Sequence, residues 1–228
     1  MKIVHIMIQI CSIAAFAAVC YLLPPRIAYL ILLLLLIRIF FFLKATKGKK
    51  IEHSQEPGKA LLVIDMQEAL CGTNGIYPSR QTFVERVNKT IREAGCRNQK
   101  VVYICQEFSK FDLLFCCLSM GGRLLKGTKG AAFCSALEIK GNAIFTKHQQ
   151  DAFTSHKLCE YLNENKIDTI MIAGLDAASC VSKTALGAVK RGFHVSIIHN
   201  CTMSKKVGIM DKALMKLSDY GIEIQENI

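Results

Sequence analysis

Two long apolar runs open the chain, and beyond them short apolar runs alternate with amphipathic ones to the end. Ile3 to Leu23 is apolar apart from mild interruptions at His5, Gln9 and Ser12. Pro24-Pro25-Arg26 breaks it, and Ile27 to Leu43 forms a second run interrupted by Arg38. Crossing a bilayer takes roughly 20 apolar residues, with about 17 as the lower limit, so the two runs predict a pair of membrane helices joined by a tight turn. Arg38, near the end of the second run, is expected to snorkel toward headgroups. The stretch Lys44 to Lys50 then supplies four lysines. The positive-inside rule places that cluster, and the chain after it, on the cytoplasmic side. Two other arrangements fit the same pattern: a cleaved signal peptide that leaves the second run as an anchor, and a shallow re-entrant hairpin. Ile51 to Gly58 is polar, contains Pro57 and Gly58, and reads as a linker. The expected organisation is an anchor over 1–50, a linker over 51–58 and one domain over 59–228.

In that domain, Ala60 to Asp65 is a nearly continuous apolar run ending in a carboxylate, the signature of a strand buried on both faces. Pro78 to Gly95 reads as a helix, with Phe83, Val87 and Ile91 four residues apart and Gly95 closing it. Further strands are expected at 101–105, 143–147, 169–175, 194–199 and 222–225, and further helices at 155–165, 180–192 and 205–220. This alternation predicts an α/β fold with three layers, α/β/α, around a parallel sheet. The exception is Phe108 to Ala132, which is poorly periodic and rich in glycine, and reads as a long functional loop with a short helix at Asp112–Leu118. Its Phe108, Phe111, Leu113, Leu114 and Phe115 suit a substrate lid, an oligomer contact or a surface dipping into a membrane.

Composition sharpens this in two places. The formal charge of +11 on 228 residues suggests a nucleic-acid partner at first sight, but seven basic residues lie in 1–50, where no acidic residue occurs. The remaining 22 basic and 18 acidic residues leave only +4, without a basic stripe interleaved with aromatics, so no nucleic-acid partner is expected. The 11 cysteines are odd in number, scattered, and free of any C-x-x-C spacing. That pattern points to reduced thiols rather than disulfides, and to no thiolate zinc site.

Candidate chemistry sits at predicted strand ends, where open parallel sheets bind their ligands. Asp65 ends the first strand, Lys147 the third, and Cys180 follows the fourth in the turn Gly174-Leu175-Asp176-Ala177-Ala178-Ser179-Cys180. A thiol where a helix begins meets the positive end of the helix dipole, which favours the nucleophilic thiolate.

Several segments carry a resemblance, in order and spacing, to the isochorismatase-like cysteine hydrolases, a group that includes nicotinamidase, N-carbamoylsarcosine amidase and ureidoacrylate amidohydrolase. They are Leu62-Val63-Ile64-Asp65-Met66-Gln67, Phe145-Thr146-Lys147 with Asp151-Ala152-Phe153, Ala173-Gly174-Leu175 through Cys180-Val181 with Thr184-Ala185, and Gly192-Phe193-His194-Val195. The resemblance covers roughly Lys59 to Gln225. It implies a Rossmann-type parallel sheet and a catalytic triad of Asp65, Lys147 and Cys180. It also implies a cis peptide at Leu175–Asp176, with the N–H groups of Asp176 and Cys180 forming an oxyanion site, and Gln67 and Phe153 as substrate-binding residues. The implied reaction is hydrolysis of a C–N bond in a small amide, carbamoyl or ureido substrate through a thioester on Cys180. Isochorismatase proper, which cleaves an enol ether, and a non-catalytic tethered member of the fold are the alternatives. Metal-containing nicotinamidases carry histidines between the catalytic Asp and Lys. Here none occurs from Met66 to Thr146, so no metal and no other cofactor is expected. The remaining expected partners are a small-molecule substrate, the membrane through residues 3–43 and, as the resemblance implies, further copies of the chain in a homo-oligomer. Asp176 departs from the family's turn, where a small residue is common.

Overall fold

The computed structural model describes every residue except Met1, His53 and Gln55; the last two are positions of the expected linker. Two helices open it, α1 (Lys2–Leu22) and α2 (Pro25–Leu43). The sheet domain follows in the order β1 (Gly58–Ile64), α3 (Glu68–Cys71), α4 (Arg80–Cys96), β2 (Lys100–Gln106), α5 (Leu113–Met120), β3 (Ile144–Lys147), α6 (His156–Glu164), β4 (Ile167–Leu175), α7 (Ser182–Val189), β5 (His194–Met203), α8 (Val207–Ser218) and β6 (Glu223–Gln225). The six strands are all parallel and lie in the order β3-β2-β1-β4-β5-β6.

Strand periodicity explains the layering. Successive side chains point to opposite faces, so Leu61 and Val63 join a core with Phe83, Val87 and Ile91 of α4, while Ala60, Leu62 and Ile64 join a second core with α6, α7 and α8. The strand order reverses between β1 and β4, and a crevice opens at such a point beyond the carboxyl ends of the strands. Here β4 passes so close to β1 that a Cβ on Gly174 would lie 2.1 Å from the carbonyl oxygen of Ile64. Gly174 has φ +119°, a conformation that only glycine adopts readily.

Local structure departs from the sequence reading in a few places. The turn before α7 is a π-type turn, Ala177–Val181, so the helix proper starts two residues after Cys180. Strand β5 continues to Met203 because its pairing with β4 shifts register after Ile172 and resumes at Gly174 with Thr202. The short helix α3 carried no periodic signal.

The N-terminal helices do not stand apart from the domain. Leu35, Ile39 and Phe42 of α2 pack against the α4-side core. Phe42 stacks on Phe108 with ring centroids 5.7 Å apart and meets the edge of Phe115 at 5.1 Å. Arg38, expected to reach for headgroups, instead forms an ion pair with Asp112 at 3.0 Å and lies 4.7 Å over the Phe115 ring. The reason is proximity: α5 offers a carboxylate and an aromatic face on the side of α2 that carries Arg38, and both favour a guanidinium. In α1, the His5 ring contacts the carbonyl of Gly121 at 2.9 Å and Gln9 donates to that of Leu118 at 2.7 Å. Just past α2, Thr46 donates from both N–H and hydroxyl to Asp151 Oδ2, at 2.7 and 2.6 Å. Arg191 donates to the Thr46 carbonyl and hydroxyl from the other side.

Gly174→Ala tests the close approach of β4 to β1. The added Cβ has no room and the backbone angle is unfavourable, so a loss of at least about 2 kcal/mol is expected, read as a lowered midpoint in chemical denaturation.

Candidate active site

Three strand ends build this site. Strand β1 delivers Asp65, whose backbone leaves the strand with φ 54°, a sparsely populated region for a residue with a side chain. Strand β3 delivers Lys147, which is fully buried. The turn after β4 delivers Cys180, half-buried on the wall of a cavity of about 610 Å³.

An ammonium group has three N–H bonds to place, and that of Lys147 places all three. It donates to Asp65 Oδ2 at 2.9 Å, to Gln106 Oε1 at 2.9 Å and to Cys180 Sγ at 3.2 Å. Asp65 Oδ1 is buried and has no hydrogen-bond partner. A buried oxygen of this kind is costly to leave unmatched, and it belongs to the carboxylate that shares Lys147 with the thiol.

Burial alone would pull Lys147 down, but the Asp65 carboxylate and the Cys180 sulfur outweigh it, and its affinity for a proton is raised. Cys180 moves the other way from a reactive thiol: burial first, then the charge of Asp65, pushes it up to about 12, with Lys147 opposing only in part. Near neutral pH Lys147 therefore rests as the ammonium and Cys180 as the thiol. The proton that must leave sulfur has an acceptor beside it, and the cation steadies whichever of the two holds the negative charge.

The turn itself is fixed by the residue that departs from the family's pattern. Asp176 Oδ1 accepts from the N–H of Ala178 at 2.9 Å and Oδ2 from the hydroxyl of Tyr77 at 3.0 Å. Its carbonyl accepts from Ser179 and Val181 at 3.0 and 3.1 Å. An Asp is well suited here because a carboxylate caps the first N–H groups of a helical turn. The peptide bond between Leu175 and Asp176 is cis.

Two expected substrate-binding residues lie elsewhere. Gln67 is fully buried. Its amide donates to the carbonyls of Gln106 at 2.9 Å and Ala131 at 2.6 Å and accepts from the N–H of Gln106 at 3.0 Å. With both ends of the amide engaged it ties β2 to the loop and has nothing left for a ligand. Phe153 is wedged between the Phe193 ring, 5.5 Å away, and the Arg191 guanidinium, 4.8 Å away. It belongs to the core on the other face and does not line the Cys180 cavity. Conversely, Gln106 and Tyr77 are site residues that sequence reasoning missed. Gln106 had a usable signal, being the first polar residue after an apolar strand, as Asp65 is. Tyr77 had none. Among the described residues, no group of three or more His, Cys, Asp or Glu is placed to hold a metal ion.

The family model described as "Isochorismatase domain" matches residues 59–227. Among curated proteins, a maleamate amidohydrolase of Pseudomonas putida is 28% identical over 79 residues, which are 34% of this chain and 37% of that protein. A probable inactive nicotinamidase of Arabidopsis thaliana is 23% identical over 176 residues, 72% of this chain and 90% of that protein. Among solved structures, an N-carbamoylsarcosine amidase from Thermoplasma acidophilum superposes with a TM-score of 0.63 at 22% identity, covering 75% of this chain and 98% of that one.

The charge balance around sulfur can be measured. Asp65→Asn removes the negative charge that raises the Cys180 thiol and leaves Lys147 in place, so the thiol pKa falls. Each unit of fall multiplies the thiolate tenfold at a given pH while costing about threefold in intrinsic nucleophilicity. Alkylation of Cys180 by iodoacetamide at pH 8, followed by peptide mass spectrometry, should therefore be several-fold faster in Asp65→Asn than in the native protein. An unchanged or slower rate would mean that Asp65 does not hold the proton on sulfur.

Proposed function

The chain belongs to the isochorismatase family, and we propose that it is a membrane-anchored cysteine amidase that hydrolyses the C–N bond of an amide, carbamoyl or ureido substrate. The observation that carries this reading is the bridge from one buried ammonium to both Asp65 and Cys180, next to an unpartnered carboxylate oxygen. That is the donor and acceptor set needed to make a thiolate only at the moment of attack. The maleamate amidohydrolase and the N-carbamoylsarcosine amidase named above support the reaction class.

In the proposed reaction Cys180 Sγ attacks the substrate carbonyl carbon as its proton passes to Asp65. The charge that develops on the carbonyl oxygen is met by the N–H groups of Asp176 and Cys180, aimed by the turn that the Asp176 side chain holds. Lys147 stays protonated and offsets the negative charge shared by Asp65 and sulfur. The tetrahedral intermediate collapses with Asp65 returning the proton to the leaving nitrogen, so an amine departs and a thioester remains. Water then attacks the thioester carbon, Asp65 takes its proton, and the acid leaves as the thiol is restored. The nucleophilic thiol favours this over enol ether cleavage, which needs no such group.

The anchor rests on α1 and α2. Their apolar stretches of 20 and 19 residues have mean hydropathies of 2.2 and 2.5. At 1.5 Å per residue each is about 30 Å long, the thickness of a bilayer's hydrocarbon core. Lys44, Lys47, Lys49 and Lys50 put the sheet domain on the cytoplasmic face by the positive-inside rule.

Cys180→Ala should lower amide hydrolysis by at least roughly a thousandfold, and the native protein should accumulate a substrate-derived mass adduct on Cys180 when quenched in acid during turnover. Pyruvate release from isochorismate that survives Cys180→Ser would favour enol ether cleavage instead. No turnover across a panel of amides, with no preferential alkylation of Cys180, would mark a non-catalytic member.

A further inference from the structure

One wall of the cavity that holds Cys180 is supplied by the anchor. Leu35, Ile39 and Phe42 of α2 line it together with Phe115, Leu118 and Ile209, while Asp65, Gln106 and Cys180 line the same space. At about 610 Å³ it has room for much more than the reacting amide group. Among the described lining residues the one cation is Lys205, which is exposed, and Lys147 has committed its N–H groups already. Away from Lys205 at the exposed side, a substrate with a free carboxylate would therefore lose its hydration in this space without gaining a charge partner. A saturated chain would lose nothing and would remove apolar wall from water.

The height of the cavity along the anchor points the same way. Gln9 of α1 is level with α5, to which it is hydrogen-bonded at Leu118. From Gln9 to the end of α1 at Leu22 is only about 20 Å at 1.5 Å per residue. If α1 crosses a hydrocarbon core of roughly 30 Å, its first turns must also lie within it. That sets α5 and the cavity wall about 10 Å inside the boundary of the hydrocarbon core. The side chains that α5 and the short turn before it direct outward fit that depth: Phe111 is fully exposed, and Leu113 and Leu114 are about half exposed. Such residues are the apolar lip expected of a surface sunk below the headgroup boundary.

We propose that the substrate is a neutral amide bearing one long apolar chain, taken from the membrane, with the chain lying against α2 and the amide carbonyl at Cys180. This rests on the amidase reading and narrows it to lipid-soluble amides. The anchor is then a part of the binding site as well as a tether.

The test uses the full chain in nanodiscs of neutral phospholipid. The probes are acetamide, hexanamide and decanamide, with N-hexylacetamide and N-decylacetamide for a chain on the nitrogen side. All values are expressed against free aqueous concentration. Along at least one series kcat/KM should rise about fourfold per added methylene until the cavity is full, and affinity for the Cys180→Ala protein should rise in parallel. Phe42→Ser, and Ile209→Asp on the exposed side of the cavity in case Phe42→Ser fails to fold, should each lower the ratio of decyl to acetyl substrate by roughly tenfold or more. Turnover that does not depend on chain length overturns the proposal and leaves the amidase reading intact. A length dependence that both variants retain places the chain elsewhere and overturns it as well. Length-dependent binding to Cys180→Ala without turnover by the native protein supports the apolar site and defeats the amidase reading. Neither binding nor turnover defeats both.

Discussion

A single buried ammonium group sets the geometry of this molecule. Lys147 ends an edge strand, Asp65 follows a central one, Gln106 ends the strand between them, and Cys180 lies in the turn after the next, yet the other three side chains all come within hydrogen-bond distance of Lys147 Nζ. A charge with no water around it is tolerated only where every donor is matched, so the ends of four neighbouring strands are held to one another's positions. The tight passage of Gly174 beside Ile64 and the capped turn at Asp176 follow from bringing sulfur within reach of that group. The cation that ties the sheet's rim together is also the one that donates to the Cys180 sulfur.

Much of this was legible in the chain. Apolar runs of strand length, each ending at a polar residue, located β1, β3 and β4 and with them Asp65, Lys147 and the turn to Cys180. Strand and helix signals are local, and local signals survive in a sequence. What escaped was relational. Gln67 carries a side chain as suited to a ligand as to a carbonyl, and only the approach of Gln106 and Ala131 decides between them. Phe153 follows the same logic with Arg191 and Phe193 as neighbours. Asp176 was legible only as a departure from the family's turn, whereas its carboxylate holds Tyr77 and two groups of the turn itself. Arg38 was legible as a charge in an apolar helix and illegible as a partner of Asp112, 74 residues away.

The loop from Phe108 to Ala132 shows why poor periodicity is informative. It has no fixed face because it serves two surfaces. Phe108 and Phe115 turn inward against Phe42, and Leu113 and Leu114 turn outward. A segment packed between a sheet domain and an apolar helix needs apolar residues on both sides, which erases the amphipathic stripe that ordinary surface helices display. The three readings the sequence left open, lid, oligomer contact and membrane surface, are thereby narrowed by packing: the inner side is occupied by the chain's own α2.

Thr46 and Asp151 carry a consequence for how the protein comes into being. Asp151 is buried, burial raises its hold on a proton, and the Thr46 hydrogen bonds and the charge of Arg191 act against that. A Cβ on Gly187 would strike its carboxylate, so the acid sits flush against α7, the helix that follows Cys180. Synthesis runs from the N-terminus. Thr46 is therefore made about a hundred residues before the acid to which it donates. A shortened chain beginning at β1 would keep the Phe153 N–H on Oδ1 but leave Oδ2 without its two Thr46 donors, beside the helix that follows Cys180. The segment just past the anchor thus completes the hydrogen bonding of a buried acid more than a hundred residues further along the chain.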